Sequence, residues 1–333
     1  MTYDIHAHTL PPALVALLRA EGDRFGVEIR ADEQGESAVF AGKTVAGPFR
    51  PYLSDIERRV EWMDRAGIDV QVLSSWIDMT AYALEANQGA GYSRALNEIL
   101  AEEAAAHPGR FLAMATVPLQ HPPAAAEELG YAVRKLRMIG VEIATTIEGV
   151  DLDQAPLDPF WEAANDLGCL VLIHPYQPLG GVDLSRHFLD NLVGRPAEST
   201  VAIANLMLSG VFDRYPDLQV CLVHGGGFLP FQLGRMERGY RAVPQRVATD
   251  SKLSPREVAS LLYYDTVLHW PQAVSALVGM MGSARVVLGS DYPFEMGDPD
   301  PLGTLRATPG LSEEDIQRIA TDNVQQVIDG VRR

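Results

Sequence analysis

Eight short apolar runs recur along the chain, and they constrain its fold more than any other feature of the sequence. The runs occupy residues 3–8, 70–75, 111–118, 141–146, 169–175, 219–226, 262–269 and 285–293. Most of them are continuous stretches of valine, isoleucine and leucine rather than alternations of apolar and polar residues. Such runs are typical of strands that are buried on both faces of a parallel sheet.

Amphipathic segments with a helical period lie between these runs, and several end in a glycine, a usual signal for the end of a helix. They predict helices at 54–67, 93–109, 124–140 and 158–168. Strands that alternate with helices predict a (β/α)8 TIM barrel. Residues 26–50 depart from the alternation, and their short β segments and turn residues predict a small β insertion after the first strand. We therefore expect one domain over residues 1–333.

The charge and the cysteine content of the chain limit the binding partners and the cellular compartment that the sequence predicts. The chain has 333 residues, with 27 basic and 44 acidic side chains and a formal net charge of −17. This balance argues against a nucleic-acid partner and against an anionic membrane surface. Cys169 and Cys221 lie inside apolar runs, as buried packing residues do. Without a signal-peptide pattern or an apolar stretch of roughly 18 residues, we expect a cytoplasmic protein.

Metal-competent side chains close four of the apolar runs, always at the same end. His6 and His8 are two residues apart in the first predicted strand, so their side chains point the same way. His174, His224 and Asp291 close three later runs. Because the active sites of such barrels lie at the carboxyl ends of the strands, we expect these five residues to meet there. Nitrogen and oxygen donors of this kind suit zinc, with manganese or iron as alternatives.

His224 is the residue left over if the other four bind the ion. It would then lie beside a metal-bound water molecule and act as a general acid or base, because the pKa of imidazole is near neutrality. The metal would lower the pKa of that water from 15.7 towards roughly 7.

Four motifs, taken together, carry a resemblance to a known family: "DIHAH", "LIHP", "VHGGG" and "LGSDYPF". The sequence resembles the amidohydrolase superfamily, and more closely the branch that contains 2-amino-3-carboxymuconate-6-semialdehyde decarboxylase. The resemblance covers nearly the whole chain, including the β insertion and "FRPYLSDIERRVEWMDRAGIDVQVLS". Many decarboxylases of hydroxylated benzoates in this branch carry glutamate at the position of His6, so His6 favours the carboxymuconate-semialdehyde-like group.

The resemblance implies a role for each member of the cluster. His224 would be the catalytic histidine beside the metal-bound water. One divalent metal ion, usually zinc, would be held by His6, His8, His174 and Asp291.

Substrate contacts are also implied by the resemblance. Arg50 and Arg235 match positions at which family members hold substrate carboxylates, and Arg235 would come from the neighbouring subunit of a homodimer. Segments 75–82 and 175–191 are expected to line the pocket. Trp76, Tyr176 and Phe294 are candidate walls for a flat conjugated or aromatic substrate.

These expectations converge on an enzyme that acts on a small carboxylate. The resemblance implies metal-dependent, non-oxidative decarboxylation of an unsaturated or aromatic carboxylic acid, without an organic cofactor. A metal-dependent hydrolase or hydratase of a lactone, an amide or a ring-cleavage product is the alternative, because one fold supports many reactions. A catalytically silent barrel used for binding would have no need of a poised His224.

Overall fold

The eight predicted strands form one parallel sheet in the computed structural model, which describes residues 1–176, 180–247 and 249–332. The strands of the described chain are β1 (Tyr3–Thr9), β2 (Val27–Asp32), β3 (Gly35–Phe40), β4 (Thr44–Ala46), β5 (Val70–Ser75), β6 (Phe111–Ala115), β7 (Gly140–Ala144), β8 (Thr146–Ile147), β9 (Val150–Asp151), β10 (Leu170–His174), β11 (Gln219–Leu222), β12 (Tyr263–Asp265) and β13 (Val286–Val287). The sheet runs β1-β5-β6-β7-β10-β11-β12-β13 with parallel neighbours throughout.

The sheet curls until its first and last strands meet, which confirms the predicted (β/α)8 barrel. The amide of Ile5 donates to the carbonyl of Leu288 at 3.0 Å, and the amide of Asp291 donates to the carbonyl of His6 at 2.8 Å. These bonds form a seam between the two ends of the chain. Strand β13 is shorter than the predicted run 285–293, so Asp291 lies in the loop beyond it.

Helices surround the sheet, and the four predicted helices are present with shifted ends. The described helices are α1 (Pro12–Phe25), α2 (Ile56–Ala66), α3 (Ala86–Ala106), α4 (Pro122–Arg134), α5 (Asp158–Leu167), α6 (Arg195–Leu208), α7 (Val211–Arg214), α8 (Leu229–Ala242), α9 (Pro244–Val247), α10 (Pro255–Ala259), α11 (Pro271–Met281), α12 (Pro301–Arg306), α13 (Glu313–Gln317) and α14 (Asn323–Gly330). Helix α1 lies outside the predicted set. None of the described helices is long and apolar enough to span a bilayer.

The predicted end of the third helix at Gly140 is wrong, and the reason is local packing. Helix α4 ends at Arg134, and Gly140 instead opens strand β7. A Cβ atom at this position would collide with the backbone carbonyl of Leu170 on the adjacent strand. The glycine is therefore required by close strand packing rather than by a helix end.

The predicted insertion is a three-stranded antiparallel sheet, β2-β3-β4, that follows α1. Phe40 at the end of β3 is fully buried, and its ring packs edge-on against Tyr92 of α3 with 5.5 Å between ring centroids. Because this contact joins the insertion to the outer helical layer, we propose that insertion and barrel form one domain.

An inner apolar layer supports the carboxyl end of the barrel. Leu172 and Tyr263 belong to one buried apolar cluster contributed mainly by the strands. Side chains two residues apart in a strand share a face. His174 and Asp265 therefore project on the same face as this cluster, one step nearer the carboxyl ends of their strands.

Candidate metal centre and active-site cavity

Four of the predicted metal-binding side chains meet at the carboxyl end of the barrel. His6 and His8 come from β1, His174 ends β10, and Asp291 follows β13. One possible ligand atom from each residue lies within 4.8 Å of those of the other three, and all four residues are buried. Strand β1 carries an extra residue relative to β5 between Asp4 and Ala7, a bulge at the start of the His-x-His segment.

Hydrogen bonds on the outer side of the imidazoles set which nitrogen faces the cluster. His6 Nδ1 donates to Asp265 Oδ2 at 2.7 Å, and His174 Nδ1 donates to the carbonyl of Pro175 at 2.8 Å. A carboxylate and a carbonyl only accept, so the proton lies on Nδ1 in both rings. The unprotonated Nε2 of each neutral ring is thereby directed into the cluster, as metal binding requires.

The inward-facing atoms fit a divalent cation better than they fit one another. His6 Nε2 and His8 Nε2 are 3.1 Å apart, so an ion bound to both nitrogens would take the place of the proton that His6 carries in the metal-free protein. His174 Nε2 and Asp291 Oδ1 are buried without a hydrogen-bond partner among the described residues. Buried polar atoms of this kind are costly unless paired. One metal ion bound by three nitrogens and a carboxylate oxygen would satisfy all of them.

The charges around the cluster also suit a cation. Burial alone would raise the pKa of Asp291, but the imidazoles of His6 and His224 hold it well below its usual value. Burial and the neighbouring imidazoles hold the pKa of His174 well below its usual value, so this ring is neutral. Burial opposes a charge on His6, but the carboxylates of Asp291 and Asp265 outweigh it and raise the pKa of His6 to about 9.

Asp265 connects the metal centre to the turn that carries His224. Its Oδ2 accepts from His6, while its Oδ1 accepts from the amides of Gly225 at 2.8 Å and Val267 at 3.1 Å. The carboxylate is fully buried, and each oxygen has a partner. Asp265 lies inside the predicted run 262–269 and is not among the predicted site residues. The structure makes it the residue that orients His6.

His224 lies beside the cluster rather than within it. Its Nε2 is 3.5 Å from Asp291 Oδ2, and its ring centroid is 5.5 Å from that of His174. The side chain retains 18% exposure towards the adjoining cavity, which suits a residue that meets a substrate. His224 and Asp291 both have left-handed backbones, with φ of +54° and +58°. Non-glycine residues seldom adopt this strained conformation, and those that do cluster at functional sites.

The glycines that follow His224 serve packing. Gly227 has φ of +62°, and a Cβ atom there would collide with the carbonyl of Pro196 on the neighbouring segment. The turn therefore needs glycine in order to lie against the start of α6.

A cavity of about 560 Å³ opens above the metal centre. His174, His224 and Asp291 line its floor. Trp76 and Phe294 also line the cavity, and the centroid of the Phe294 ring lies 5.3 Å from that of the His8 ring. This volume is that of a typical small-molecule site.

Three predicted substrate contacts do not line this cavity in the described chain. Tyr176 packs against the hydrophobic core. Arg50 is exposed and precedes the short helical turn Pro51–Leu53. Arg235 is exposed on α8. Residues 177–179 of the predicted lining segment 175–191 lie outside the described residues.

Several polar residues that sequence reasoning did not single out also line the cavity, among them Asp78 and Arg195. Asp78 lies in the helical turn Ile77–Met79, and Arg195 is the first residue of α6. Asp78 belongs to segment 75–82, which was expected to line the pocket, whereas Arg195 lies outside both expected segments. No signal in the sequence distinguishes Arg195 from the other arginines.

Fold and site together define a (β/α)8 barrel with one buried histidine-aspartate metal centre below a small-molecule cavity. The protein-family model described as Amidohydrolase matches residues 3–327. The chain therefore belongs to the amidohydrolase family.

Individual relatives span nearly the full chain. A 2-amino-3-carboxymuconate-6-semialdehyde decarboxylase of Dictyostelium discoideum is 31% identical over 98% of this chain and 90% of its own length. The 5-carboxyvanillate decarboxylase structure from Sphingomonas paucimobilis superposes with a TM-score of 0.83 at 25% identity, over 99% of each chain. A dihydroxybenzoic acid decarboxylase from Polaromonas sp. JS666, solved with manganese and 2-nitroresorcinol, gives a TM-score of 0.80 at 24% identity, over 98% and 96% of the two chains.

Substitution of a metal ligand should empty the centre. We expect His174→Ala and Asp291→Ala each to abolish stable metal binding, because either leaves only three of the four donors. The metal content of the purified, metal-loaded variants, measured by mass spectrometry, tests this assignment. Full occupancy in either variant would refute it.

Two further variants serve as comparisons for that measurement of metal content. His107→Ala, which alters a histidine outside the cluster, should keep full occupancy. Asp265→Asn should retain the metal but with roughly 10–100-fold lower affinity, because His6 loses the carboxylate that orients it.

Metal affinity should rise with pH between 7 and 9. In the metal-free protein the pKa of His6 is about 9, so the ring is protonated at pH 7 and must release a proton to bind an ion. The apparent affinity should then increase about tenfold per pH unit, with about one proton released per ion. Chelator competition and calorimetry in buffers of different ionisation enthalpy measure both quantities. An affinity that is constant across this range would contradict the proposed state of His6.

Proposed function

We propose that the protein is a metal-dependent decarboxylase that removes carbon dioxide, without oxidation, from a small unsaturated or aromatic carboxylic acid. The observation that carries the proposal is the position of His224, outside the four-donor centre but on the floor of the same cavity. Relatives of this chain include decarboxylases of a carboxymuconate semialdehyde and of aromatic acids, which supports the same reaction class.

Zinc is the ion we propose for the centre. Three imidazole nitrogens and one carboxylate oxygen form a donor set that zinc accepts readily, and manganese and iron(II) accept similar sets. When bound, the ion would act as a Lewis acid that orients the substrate and polarises a ligand oxygen.

His224 would move the proton in this reaction. Decarboxylation breaks the bond between a carbon atom and its carboxylate, and a proton takes the place of the departing carbon dioxide. His224 Nε2 points towards the Asp291 carboxylate at 3.5 Å, which keeps the ring directed at the centre. A group with a pKa near neutrality can deliver a proton and recover it at physiological pH.

The cavity walls would hold a flat substrate above the centre. Trp76 is almost fully buried, and the Phe294 ring lies tilted against the His8 ring, so both rings are held by their surroundings. Aromatic side chains favour planar apolar ligands through offset and edge-to-face contacts. An aromatic or conjugated acid matches these walls.

The protein would act as a homodimer, with Arg235 reaching the neighbouring subunit's cavity and Arg50 its own. The mouth of the cavity exposes several large apolar side chains, among them Phe231 at 65% and Phe188 at 53%. An apolar rim of this kind is typical of a protein interface. Arg235 lies one helical turn beyond Phe231 on α8, so burial of the rim by a second copy would also cover Arg235.

A cytoplasmic location is consistent with the two cysteines. Cys169 and Cys221 are both buried and neither forms a disulfide. We propose that the protein works in a reducing compartment, where such thiols persist.

Carbon dioxide release is the test of the reaction class. Zinc-loaded protein should release carbon dioxide from at least one member of a panel of carboxymuconate semialdehydes and hydroxybenzoates. His224→Ala should retain its metal and lose about 100-fold or more of the rate, as expected for a general acid. Hydrolysis or hydration of a lactone or amide, with no carbon dioxide from any acid in the panel, would establish the alternative reaction.

Mixed dimers test the role of Arg235. If Arg235 acts across the interface, a dimer of one Arg235→Ala and one His224→Ala protomer contains one intact site. Co-refolding the two inactive variants in equal amounts should therefore restore about a quarter of the wild-type activity, because half of the dimers are mixed and each has one working site. A mixture no more active than its parents would contradict a shared site.

A further inference from the structure

We infer that Arg195 and Asp78 form a substrate-recognition subsite, in which the guanidinium binds a carboxylate and the Asp78 carboxylate accepts a hydrogen bond from a neighbouring hydroxyl or amino group. The inference rests on the proposed function for the reaction that follows binding. It adds two residues of the same chain as the metal centre to the contacts proposed for Arg50 and Arg235.

Arg195 is fixed beside the metal centre by one shared acceptor. Its Nη1 donates to the carbonyl of Pro175 at 2.8 Å, and that carbonyl also accepts from His174 Nδ1 at 2.8 Å. The same first turn of α6 is anchored by Glu198, whose carboxylate accepts from the amide of Tyr176 at 3.0 Å. The guanidinium is therefore joined to the predicted metal ligand His174 through a single carbonyl oxygen.

The remaining donors of Arg195 are available to a ligand. Neither Nε nor Nη2 has a hydrogen-bond partner among the described residues, and the side chain is only half-buried. Within the described chain, Arg195 is the one arginine or lysine that lines the cavity. A guanidinium with two free N–H groups is suited to bind a carboxylate through parallel hydrogen bonds.

Asp78 supplies a hydrogen-bond acceptor, whereas Arg195 supplies donors. It lines the same cavity and makes no hydrogen bond to another described residue. Burial raises the pKa of Asp78, and the positive charge of Arg195 opposes this shift, so the two groups are close enough to influence each other. An ionised carboxylate accepts hydrogen bonds and repels anions. It therefore selects a hydroxyl or amino group and disfavours a second acid at that position.

The two residues together define a substrate class. The acid carries one carboxylate placed for Arg195 and a hydrogen-bond donor placed for Asp78, on a planar frame that fits between Trp76 and Phe294. Hydroxylated or aminated aromatic acids, and their unsaturated analogues, meet this description. Acids without the donor would bind through Arg195 alone.

Binding of probe acids to the metal-free protein tests Arg195 without reference to turnover. Calorimetric affinities for benzoate, 2-hydroxybenzoate and 3-hydroxybenzoate would be measured with metal-free protein. The affinity for benzoate, which has no hydroxyl group, would also be measured with zinc-loaded protein. Arg195→Ala should weaken benzoate binding about tenfold or more in both forms, as expected for loss of a charge-assisted hydrogen bond. Arg195→Lys should fall between, because it keeps the charge and loses the fork.

The control is Arg306→Ala, which removes an exposed arginine of α12 outside the cavity and should change no affinity. Unchanged benzoate affinity in Arg195→Ala, with native circular dichroism and full zinc content, would overturn the assignment of Arg195.

Asp78→Ala, which removes both the charge and the hydrogen-bond acceptor, tests the second half of the subsite. Wild-type protein should prefer at least one hydroxybenzoate over benzoate. The variant should lose that preference and bind benzoate as tightly or more tightly, because a negative charge beside Arg195 is gone. A retained preference would overturn the role of Asp78. If this binding pattern is found but no acid is decarboxylated, the subsite stands and the proposed reaction fails.

Discussion

The seam between the first and last strands of the barrel is the constraint on which the site depends. The amide of His8 donates to the carbonyl of Tyr292 at 2.7 Å, and the amide of Asp291 donates to the carbonyl of His6 at 2.8 Å. These backbone bonds join segments that lie at opposite ends of the sequence. Because they involve His6, His8 and Asp291 themselves, closure of the barrel brings three of the four donors together.

Around this seam, Asp265 and Arg59 hold the ligands in place through hydrogen bonds. Asp265 uses both carboxylate oxygens, one towards His6 and one towards the turn after His224. Arg59 is fully buried and donates to the carbonyl of His8. The inward-facing atoms His174 Nε2 and Asp291 Oδ1 have no hydrogen-bond partner among the described residues. An ion bound at the centre would compensate for both, as buried polar atoms require.

Much of this arrangement can be predicted from the sequence, and the reason is periodicity. Buried parallel strands appear as apolar runs, and the carboxyl ends of such strands share one edge, so His6, His174 and Asp291 could be placed together. The end of α4 could not be predicted, because a glycine such as Gly140 can mark either the end of a helix or a close contact between strands. Arg195 and Asp78 were missed because their importance comes from tertiary neighbours, and an arginine at the start of a helix is ordinary in sequence. The exposure of Arg50 and Arg235 likewise depends on loop and helix orientation, which periodicity does not encode.

The carbonyl of Pro175 has a consequence for how the site would respond to its ligands. It accepts one hydrogen bond from His174 and a second from Arg195, and a carbonyl oxygen has two lone pairs to offer. A displacement of His174 towards an ion and a displacement of Arg195 towards an anion therefore act on one shared acceptor. Any coupling of cation and anion binding through this acceptor would be reciprocal, with each changing the other's affinity by the same factor. His174 and Arg195 are thus held in place by a single peptide group.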